Sequence, residues 1–417
     1  MVWAAYKKVK ANKGSAGVDE VSMEEFDASR SKHLYKLWTR MASGSYFTHN
    51  IIALGVRECF AFPPPVKEVE IPKKDGKVRK LGIPTISDRV GQMVVKDFIE
   101  PRLEKIFSNN SYGYRPNKNA HQALETVRVN CRNYDWVIDL DIKGFFDNID
   151  HQKLILAVEK HVTENWVRLY IKRWLETPVQ TKSGKLIIKE GKGTPQGGVI
   201  SPLLANLFLH YAFDKWLEQT DSTVSFARYA DDAILHCKSK QQAERILKLV
   251  HERMEACGLE LHPAKTKIVY CRDYRRQGKH KEVKFDFLGF SFQPRVTKSK
   301  KTGKLFLGFD CAISISSRKR LADKLGELKV EKMTFKSIVG IAQRLNPMIR
   351  GWINYYGRFR GYELSKVFRL LRIRIVRWAR QRYKRYRYSL NKACKWFDRV
   401  RKQFPNLFYH WQVGYSN

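Results

Sequence analysis

Two adjacent carboxylates, Asp231 and Asp232, are the residues whose type and spacing most clearly suggest chemistry in this sequence. They lie between two apolar runs, 224–227 and 233–235, a pattern that predicts a strand, a tight turn and a second strand. A pair of acids at such a position is often only a solvated turn. Because crowding two negative charges together is costly, a functional pair would require a cationic partner.

A second acidic position earlier in the chain supports a functional site. Asp139 and Asp141 alternate along a predicted strand at 136–141, which places both carboxylates on one side of it. With Asp231 and Asp232 they form the minimum set for holding two divalent cations, the arrangement that stabilises the attacking and leaving oxygens in phosphoryl transfer. Magnesium is the natural ion, because it takes oxygen ligands and bridges to substrate phosphates. Asp139 is the alternative ligand, with a structural role as its other interpretation.

A glycine-rich stretch at 193–206 lies between the acidic positions and leads into an apolar helix. Glycines let a backbone approach a base pair or a sugar closely, and Ser201 with Pro202 predicts the cap and first turn of that helix. The stretch is not a Walker loop, because the required Gly-Lys-Ser/Thr does not follow at the right spacing.

The charge of the chain indicates a polyanionic partner. Lys and Arg number 79 against 41 Asp and Glu, a net charge of +38 over 417 residues, of which 12% are aromatic. An excess of this size favours nucleic acid over an acidic protein or a membrane face, without distinguishing RNA from DNA. Between Lys366 and Lys402, fifteen basic residues accompany one acid, Asp398. With their interleaved aromatics they predict a helical surface on a phosphate backbone, a solvated basic face being the alternative.

The broad class follows from patterning and composition. Helices alternate with short β-rich runs between residues 66 and 293, which predicts an α+β core with an antiparallel sheet, and the pattern after Ser317 is helical. No apolar stretch reaches the ~18 residues of a membrane span, and the N-terminus does not read as a secretory signal. Seven scattered cysteines without Cys-x-x-Cys predict a reduced, cytoplasmic protein.

The sequence resembles the reverse transcriptase/maturase proteins encoded by bacterial group II introns, over nearly the whole chain. The resemblance rests on motifs in that family's order: the fingers motif 71–84, the block 112–116, Asp141 with Phe146, Gln196-Gly197, Asp231-Asp232, the palm blocks 265–267 and 287–290, and the thumb signature 345–356. It implies a right-hand polymerase fold. The implied parts are an N-terminal extension (1–65), fingers and palm with the antiparallel sheet (66–293), an α-helical thumb (294–365) and a basic helical C-terminal region (366–417).

The resemblance also implies roles for single residues. The implied metal ligands and catalytic residues are Asp141, Asp231 and Asp232. The implied substrate-binding residues are Lys73 and Arg79 for the triphosphate, Phe146 as a gate against the ribose 2′-hydroxyl, Gln196 as a brace for the nucleotide or template, and Lys265, or alternatively Lys267, as the acid that protonates pyrophosphate. For Lys73 and Arg79 the alternative is a surface charge, and for Phe146 a core position beside Phe145. The residues expected to bind nucleic acid are Arg115, Arg350, Trp352, Arg377, Arg380, Arg382, Lys384, Arg385 and Arg387.

The expected function is that of an RNA-directed DNA polymerase that also assists splicing and mobility of its intron RNA. The expected partners are two Mg²⁺ ions, deoxynucleoside triphosphates, the group II intron RNA, an RNA template with its DNA primer, and target DNA, with cytoplasmic location and association with the nucleoid during work on DNA. The oligomeric state is left open. Two alternatives remain: a host-adopted relative working in DNA repair or defence, and a maturase that acts mainly as an RNA-binding splicing factor.

Two departures from the family pattern stand out. Residues 48–62 read as an insertion before the proline run 63–65, where related proteins pass directly into the prolines. The chain ends at Asn417, soon after the basic region, whereas many relatives continue into an endonuclease domain. The expectation is therefore a protein of the endonuclease-lacking type.

Overall fold

The computed structural model describes residues 1–44, 63–72, 78–299 and 302–415. The chain divides into two compact units, one formed by Met1–Asn119 and Ile138–Lys267, the other by Ala120–Val137 and Ile268–Asn417. We call them the first and the second unit. The insertion expected at 48–62 and the triphosphate ligand expected at Lys73 lie outside the described residues.

Sixteen α-helices are found in the described part of the chain. They are α1 (Val2–Ala11), α2 (Met23–Ala28), α3 (Arg30–Ala42), α4 (Ile86–Leu103), α5 (Ala120–Asn133), α6 (Phe145–Asn148), α7 (His151–Glu159), α8 (Asn165–Glu176), α9 (Ser201–Leu209), α10 (Lys215–Thr220), α11 (Lys240–Ala256), α12 (Ile315–Glu327), α13 (Ile338–Tyr356), α14 (Ser365–Arg382), α15 (Leu390–Gln403) and α16 (Tyr409–Gln412). A π-helical turn, His210–Asp214, joins α9 to α10.

The strands of the described residues form three small sheets. They are β1 (Val66–Pro72), β2 (Val78–Ile83), β3 (Trp136–Asp141), β4 (Val179–Gln180), β5 (Leu186–Ile187), β6 (Ser225–Tyr229), β7 (Asp232–Cys237), β8 (Lys267–Tyr270), β9 (Phe285–Phe287), β10 (Phe290–Lys298) and β11 (Leu305–Ile313). The sheet orders are β2-β1-β4-β5, β6-β7-β3-β8 and β11-β10-β9.

Local sequence fixes where many helices begin. Ser22 accepts a hydrogen bond from the backbone N–H of Glu25, while the Glu25 carboxylate accepts from the Ser22 N–H, a capping box at the start of α2. Thr85, Ser239 and Ser337 cap α4, α11 and α13 in the simpler way, each through its side-chain oxygen. These caps satisfy backbone donors that the first helical turn leaves unpaired.

The first unit has its core where α9 and the β6–β7 hairpin are most apolar. All seven residues 203–209 of α9 are buried, among them Leu204 and Leu207, and so are Phe226 and Leu235 of the hairpin. In the hairpin, Phe226 pairs with Leu235 and Tyr229 with Asp232, in antiparallel register. Consecutive residues of both strands are buried, so both faces of the hairpin are covered, and the two-residue turn fixes the register.

The second unit has an aromatic core in its sheet and a helical region after it. Phe285 stacks on Phe292 with 4.8 Å between ring centroids, and Phe290 and Phe309 are also buried. Trp378 of α14 is fully buried, and its Nε1–H donates to the Met333 carbonyl at 3.0 Å. A buried indole that keeps its N–H bonded contributes apolar burial without an unpaired donor.

The structure confirms the predicted α+β class, the predicted antiparallel hairpin around Asp231 and Asp232, and the helical character of the chain after Ser317. The predicted cap of the apolar helix is wrong by one residue. α9 begins at Ser201 and its N-cap position is Ile200, while the Ser201 hydroxyl accepts a hydrogen bond from Thr194 at 2.9 Å. Among the described residues, no helix has both the length and the apolar content to cross a membrane.

Residue His410 makes the second unit sensitive to acid. Its imidazole is 3% exposed, stacks on Phe368 at 4.7 Å, and has its pKa lowered by burial to about 3. In the unfolded chain the same imidazole takes up a proton near pH ~6.5. Between pH ~6.5 and ~3 the unfolded state therefore binds more protons than the folded state, and the protein loses stability as the pH is lowered. The free energy of unfolding, measured by chemical denaturation, should fall between pH 7 and pH 5. We predict that this fall is roughly 2 kcal/mol smaller in His410→Phe than in the wild type.

The control for this prediction is His251→Gln, because the His251 side chain is 54% exposed on α11. This variant should keep the acid sensitivity of the wild type. Identical pH dependence of unfolding in His410→Phe and the wild type would contradict the prediction.

Candidate active site

The turn between β6 and β7 consists of two residues, Ala230 and Asp231, because Tyr229 pairs with Asp232 across it. Ala230 has φ +59°, in the left-handed region. Two-residue hairpin turns require a positive φ at their first central position, where glycine is usual. An alanine there carries a cost of about 1 kcal/mol that the surrounding structure must offset. The turn therefore holds Asp231 and Asp232 at the tip of the hairpin in a defined, strained conformation.

The third acid comes from the end of β3. Beyond the strand, residues 141–143 pair with 260–262, since the His262 N–H donates to the Asp141 carbonyl at 2.8 Å and the Lys143 N–H to the Glu260 carbonyl at 2.8 Å. This pairing brings Lys265 close, and its Nζ lies 2.9 Å from Asp141 Oδ2. The sequence-predicted Asp141 and Lys265 thus form an ion pair.

Electrostatics show that the three carboxylates share one small region of the first unit. Burial raises the pKa of Asp232 to about 7, with further contributions from the charges of Asp231 and Asp141. Burial and the Asp141 charge also raise the pKa of Asp231, while Arg79 and Lys265 act in the opposite direction. The pKa of Lys265 is raised, first by its hydrogen bond to Asp141 and also by Asp231 and Asp232. The site holds more negative charge than its basic neighbours offset.

A divalent cation fits this donor set, although the side chains do not form a complete cage. Within the described ranges, no group of three or more His, Cys, Asp or Glu side chains is arranged around a metal position, and Asp141 is turned to Lys265. The donors are carboxylate oxygens, which suit magnesium, calcium or manganese rather than zinc. The raised pKa of buried Asp232 marks a carboxylate that a cation would stabilise in its charged form. Asp141, Asp231 and Asp232 are the residues that would hold it.

Two predicted substrate-binding residues are joined by a short polar chain. Arg79 Nε donates to Gln196 Oε1 at 2.7 Å, and Gln196 Nε2 donates to both Asp147 carboxylate oxygens at 3.1 Å. The Arg79 charge also lowers the pKa of Asp231, so its guanidinium lies near the acidic tip. The structure therefore places Arg79, with Gln196 bonded to it, near the acidic hairpin tip, and their role in substrate binding stays a prediction.

Sequence reasoning missed two residues of this site. Asp147 orients Gln196, and its signal was its position six residues after Asp141 in the same run. Tyr114 lies near the acids, because Asp231 contributes to raising its pKa after the larger effect of burial. Tyr114 has φ +56°, which no sequence pattern reveals for a tyrosine. Its signal was membership in the motif 112–116, to which only Arg115 was assigned a role.

Phe146, the predicted gate residue, lies at the edge of the core. Its side chain is 8% exposed and meets Phe145 edge to face, with 5.5 Å between centroids. The Phe146 carbonyl accepts a hydrogen bond from the Thr194 N–H at 2.8 Å, which joins the acidic strand to the glycine-rich stretch. The two interpretations offered by the sequence, gate and core residue, both remain compatible with this placement.

Arg115 has a structural role instead of the predicted contact with nucleic acid. Its side chain is 4% exposed and pairs with Glu104 at 2.9 Å. Its Nη1 donates to the carbonyls of Ser108 and Ser111, at 2.5 and 2.8 Å. A guanidinium that is buried and bonded in this way has no surface to offer a phosphate. We therefore correct the assignment of Arg115.

The predicted nucleic-acid residues of the second unit are mostly at its surface. The exposed ones are Arg350, Arg377, Arg382, Lys384, Arg385 and Arg387, while Trp352 and Arg380 are partly buried. Arg350 lies over the Tyr409 ring at 4.9 Å. Sequence reasoning missed a cleft of about 600 Å³ that is lined by Arg385, Tyr386, Lys392, Lys395, Asp398, Arg399 and Lys402. Its signal was the helical spacing of the basic residues on α15. We call it the basic cleft.

Most aromatic residues of this region are not part of the predicted helical surface for a phosphate backbone. Trp378, Tyr386 and Trp396 are buried and contact one another, with 6.0 Å between the two indole centroids. Tyr388, at 90% exposure, does lie at the surface. The prediction was wrong for the buried aromatics because their interleaving with arginine reflects the helical period of a packed face.

Comparisons with known proteins agree with this geometry. Residues 71–292, more than half of the chain, match the family described as reverse transcriptase (RNA-dependent DNA polymerase). Residues 318–396 match the group II intron maturase-specific domain.

Individual proteins show similarity of different extents. The group II intron-encoded protein LtrA of Lactococcus lactis subsp. cremoris is 32% identical over 271 residues, covering 62% of this chain and 41% of LtrA. Protein YkfC of Escherichia coli (strain K12) is 31% identical over 294 residues, covering 62% of this chain and 73% of YkfC. Among solved structures, telomerase from Candida albicans in complex with a fragment of telomeric RNA aligns with a TM-score of 0.47 at 14% identity, covering 92% of this chain and 67% of that one. The chain thus spans less than half the length of LtrA.

We predict that Asp232→Asn stabilises the metal-free protein at alkaline pH. The folded-state pKa of Asp232, about 7, lies above the ordinary value of 3.8. Between these values the folded state binds more protons than the unfolded state, so the wild type loses stability as pH rises through this window. Asparagine removes that loss, on the order of a few kcal/mol at pH 8. Thermal unfolding in the presence of a chelator measures it as a higher Tm.

Asp323→Asn serves as the matched control, because Asp323 is an exposed residue of α12. The control should leave Tm unchanged at every pH, and the gain in Asp232→Asn should vanish at pH 4. A lower Tm for Asp232→Asn at both pH values would contradict the prediction, because it would show that the Asp232 carboxylate stabilises the fold.

Proposed function

The chain belongs to the reverse transcriptase family, and we propose that it copies RNA into DNA by adding deoxynucleotides to a primer 3′-hydroxyl. The observation that carries this proposal is the convergence of Asp141, Asp231 and Asp232, in which the charge of Asp141 contributes to raising the pKa of both other acids. A protein gains nothing in stability from such crowding, because each added negative charge raises the cost of the others. The arrangement is explained by a positively charged ligand.

We propose that Asp141, Asp231 and Asp232 hold two Mg²⁺ ions. Reverse transcriptases generally use divalent metal ions with deoxynucleoside triphosphates, and magnesium favours carboxylate oxygens together with substrate phosphates. Bound there, such ions would supply stabilisation of the attacking and the leaving oxygen of the transfer. Asp232 would then keep its charge at neutral pH, because a cation opposes the burial that raises its pKa.

Lys265 is proposed to work in two states. Without substrate its ammonium neutralises Asp141 at 2.9 Å. Once Asp141 serves as a metal ligand, Lys265 is available to bind the triphosphate and to donate a proton to the leaving pyrophosphate, the role that the family resemblance implies. Its side chain is 60% exposed, so it can reorient without disturbing the core.

Arg79, Gln196 and Asp147 are proposed to bind and orient the incoming nucleotide. Asp147 accepts both hydrogen bonds from the Gln196 amide nitrogen, which leaves the Gln196 oxygen directed to Arg79. A guanidinium bonded through Nε still has two terminal nitrogens for paired bonds to phosphate oxygens. Phe146, fixed by its packing on Phe145, is proposed as the residue that excludes a ribose 2′-hydroxyl.

We propose that the second unit binds structured RNA and assists the splicing of a group II intron. The match of residues 318–396 to a maturase-specific domain and the printed description of LtrA as a group II intron-encoded protein support this proposal. So do the exposed basic residues of α14 and the basic cleft. In this proposal residues 66–293 form fingers and palm, 294–365 the thumb and 366–417 a further nucleic-acid surface, with RNA template, DNA primer and target DNA as partners.

Primer extension tests the polymerase. On an RNA template with a DNA primer, Mg²⁺ and deoxynucleotides, the wild type should extend the primer. Asp231→Asn and Asp232→Asn should lower the rate about 100-fold or more, the order of magnitude for loss of one group that stabilises transition-state charge. Asp323→Asn is the control and should extend normally. Full activity of Asp232→Asn, or a wild type that extends no primer on any template, would overturn the proposal.

Salt dependence tests the RNA-binding surface. Replacing Lys392, Lys395, Arg399 and Lys402 of the basic cleft by Gln should weaken RNA binding and flatten its dependence on salt, by a slope of about 0.7–0.9 for each lost phosphate contact. The control is Lys240→Gln with Lys248→Gln, whose charges are already paired with Glu244 and Glu252. Equal effects of the two sets would contradict a specific role for the cleft.

An intron-splicing assay separates the two activities. Asp232→Asn should retain assistance of splicing while losing primer extension, whereas the basic-cleft variant should show impaired splicing. Loss of splicing in Asp232→Asn at unchanged RNA affinity would count against an independent maturase function.

A further inference from the structure

A fully buried arginine lies directly before the acidic turn. Arg228, in β6, is 1% exposed, and Asp214 is 0% exposed. The two side chains make a paired interaction, Nε to Oδ1 at 2.7 Å and Nη2 to Oδ2 at 2.5 Å. A buried ion pair gives little net stability compared with apolar residues of the same volume. Its presence next to the candidate site therefore suggests a function other than stability.

The partner of Arg228 is delivered by an irregular helix. Asp214 is the last residue of the π-helical turn His210–Asp214, which interrupts the helix between α9 and α10. A π turn inserts one residue into the helical period, and such turns occur frequently at functional sites. Here the last side chain of the turn, that of Asp214, reaches Arg228 in β6.

Arg228 also binds the turn itself. Its Nη1 donates to the Ala230 carbonyl at 2.9 Å and to Asn206 Oδ1 at 3.1 Å. The Asn206 amide nitrogen in turn donates to the Gly113 carbonyl at 2.8 Å. One guanidinium thus connects α9, the π turn and the segment around Gly113 to the peptide group immediately before Asp231.

Backbone contacts with residues 110–113 also hold the turn. The Tyr112 N–H donates to the Arg228 carbonyl at 2.8 Å and the Arg228 N–H to the Asn110 carbonyl at 2.8 Å. A methyl group on Gly113 would lie 2.4 Å from the Ala230 nitrogen, closer than atoms can pack. The backbone at Gly113 therefore packs directly against the same turn that the Arg228 side chain binds.

We propose that Arg228 is a positioning residue that, held by Asp214 and Asn206, fixes the left-handed Ala230 turn and so sets where Asp231 and Asp232 present their carboxylates. The inference rests on the proposed polymerase function. Arg228 touches neither substrate nor reacting atoms, and it acts through the peptide group that precedes Asp231. Lysine cannot replace Arg228, because the guanidinium donates to Asp214, Asn206 and the Ala230 carbonyl at once. An ammonium lacks the planar geometry for these bonds.

The test compares Arg228→Lys with Gly113→Ala. The first keeps the buried positive charge but loses the paired geometry, and the second moves the turn without uncovering any charge, so one variant remains informative if the other fails to fold. Both should lower kcat for primer extension by about 10–100-fold. Both should raise the Mg²⁺ concentration needed for half-maximal rate, while the KM for deoxynucleotide and the affinity for template–primer stay within about twofold of the wild type.

The matched control is Arg276→Lys, which alters another buried pair, Arg276 with Asp273 at 2.6 Å and 8% and 5% exposure. It should lower Tm without changing the Mg²⁺ midpoint. Rates are corrected for the folded fraction. A wild-type Mg²⁺ midpoint in Arg228→Lys and Gly113→Ala, or an equal shift in Arg276→Lys, would overturn the positioning role and leave a purely structural one.

Metal binding measured without turnover distinguishes the proposed polymerase function from the proposed positioning role of Arg228. Titration calorimetry with Mn²⁺ should show weaker binding to Arg228→Lys than to the wild type. A wild type that binds Mn²⁺ but extends no primer would defeat the proposed function alone. Equal Mn²⁺ affinity in both proteins would defeat the positioning proposal alone.

Discussion

Mutual repulsion among Asp141, Asp231 and Asp232 is the physical constraint on which the first unit depends. Burial and like charge together bring the pKa of Asp232 to about 7, which means that a neutral solution leaves the site between two protonation states. The ion pair of Asp141 with Lys265 offsets part of this excess. A divalent cation would offset the rest, and the same crowding that costs stability without metal would then supply its affinity.

Such a site stays in place only if the surrounding structure opposes its tendency to separate. The strain of Ala230, the buried Arg228–Asp214 pair and the close approach of Gly113 all act on the same two-residue turn. On the β3 side, backbone pairing of 141–143 with 260–262 fixes Asp141. The strain at Ala230 costs stability locally, and the apolar burial of α9 and the hairpin offsets that cost. The residues that hold the turn rigid are thus different from the three acids that carry its negative charge.

How far the sequence predicts this arrangement depends on the range of the interaction. Period-two alternation and a flanked acidic pair were enough to predict β3 and the β6–β7 hairpin, because these signals are local. The one-residue error at Ser201 arose because a helix start is set by backbone angles at Ile200, which residue preference alone does not fix. Arg115 was expected to bind nucleic acid as part of the motif 112–116, and only the folded chain shows that Glu104 binds it.

The residues that sequence reasoning missed have roles that depend on distant partners. The sequence around Asp147 does not indicate its hydrogen bond with Gln196. The sequence before the acidic pair does not indicate that Arg228 bonds Asp214 at the end of a π turn. The aromatics of α14 and α15 are a case of the opposite kind. Their interleaving with basic residues predicted a surface, but Trp378 and Trp396 are buried in the core. Side-chain type identifies candidate chemistry, whereas burial decides which candidates are available to a ligand.

Anomalous diffraction from crystals soaked in Mn²⁺, with a template–primer duplex and a non-hydrolysable nucleotide, tests the central claim most directly. The account predicts two peaks about 3.5–4 Å apart, coordinated by Asp141, Asp231 and Asp232, with Asp141 released from Lys265. An absence of peaks at the hairpin tip, with Asp141 still bound to Lys265, would contradict it.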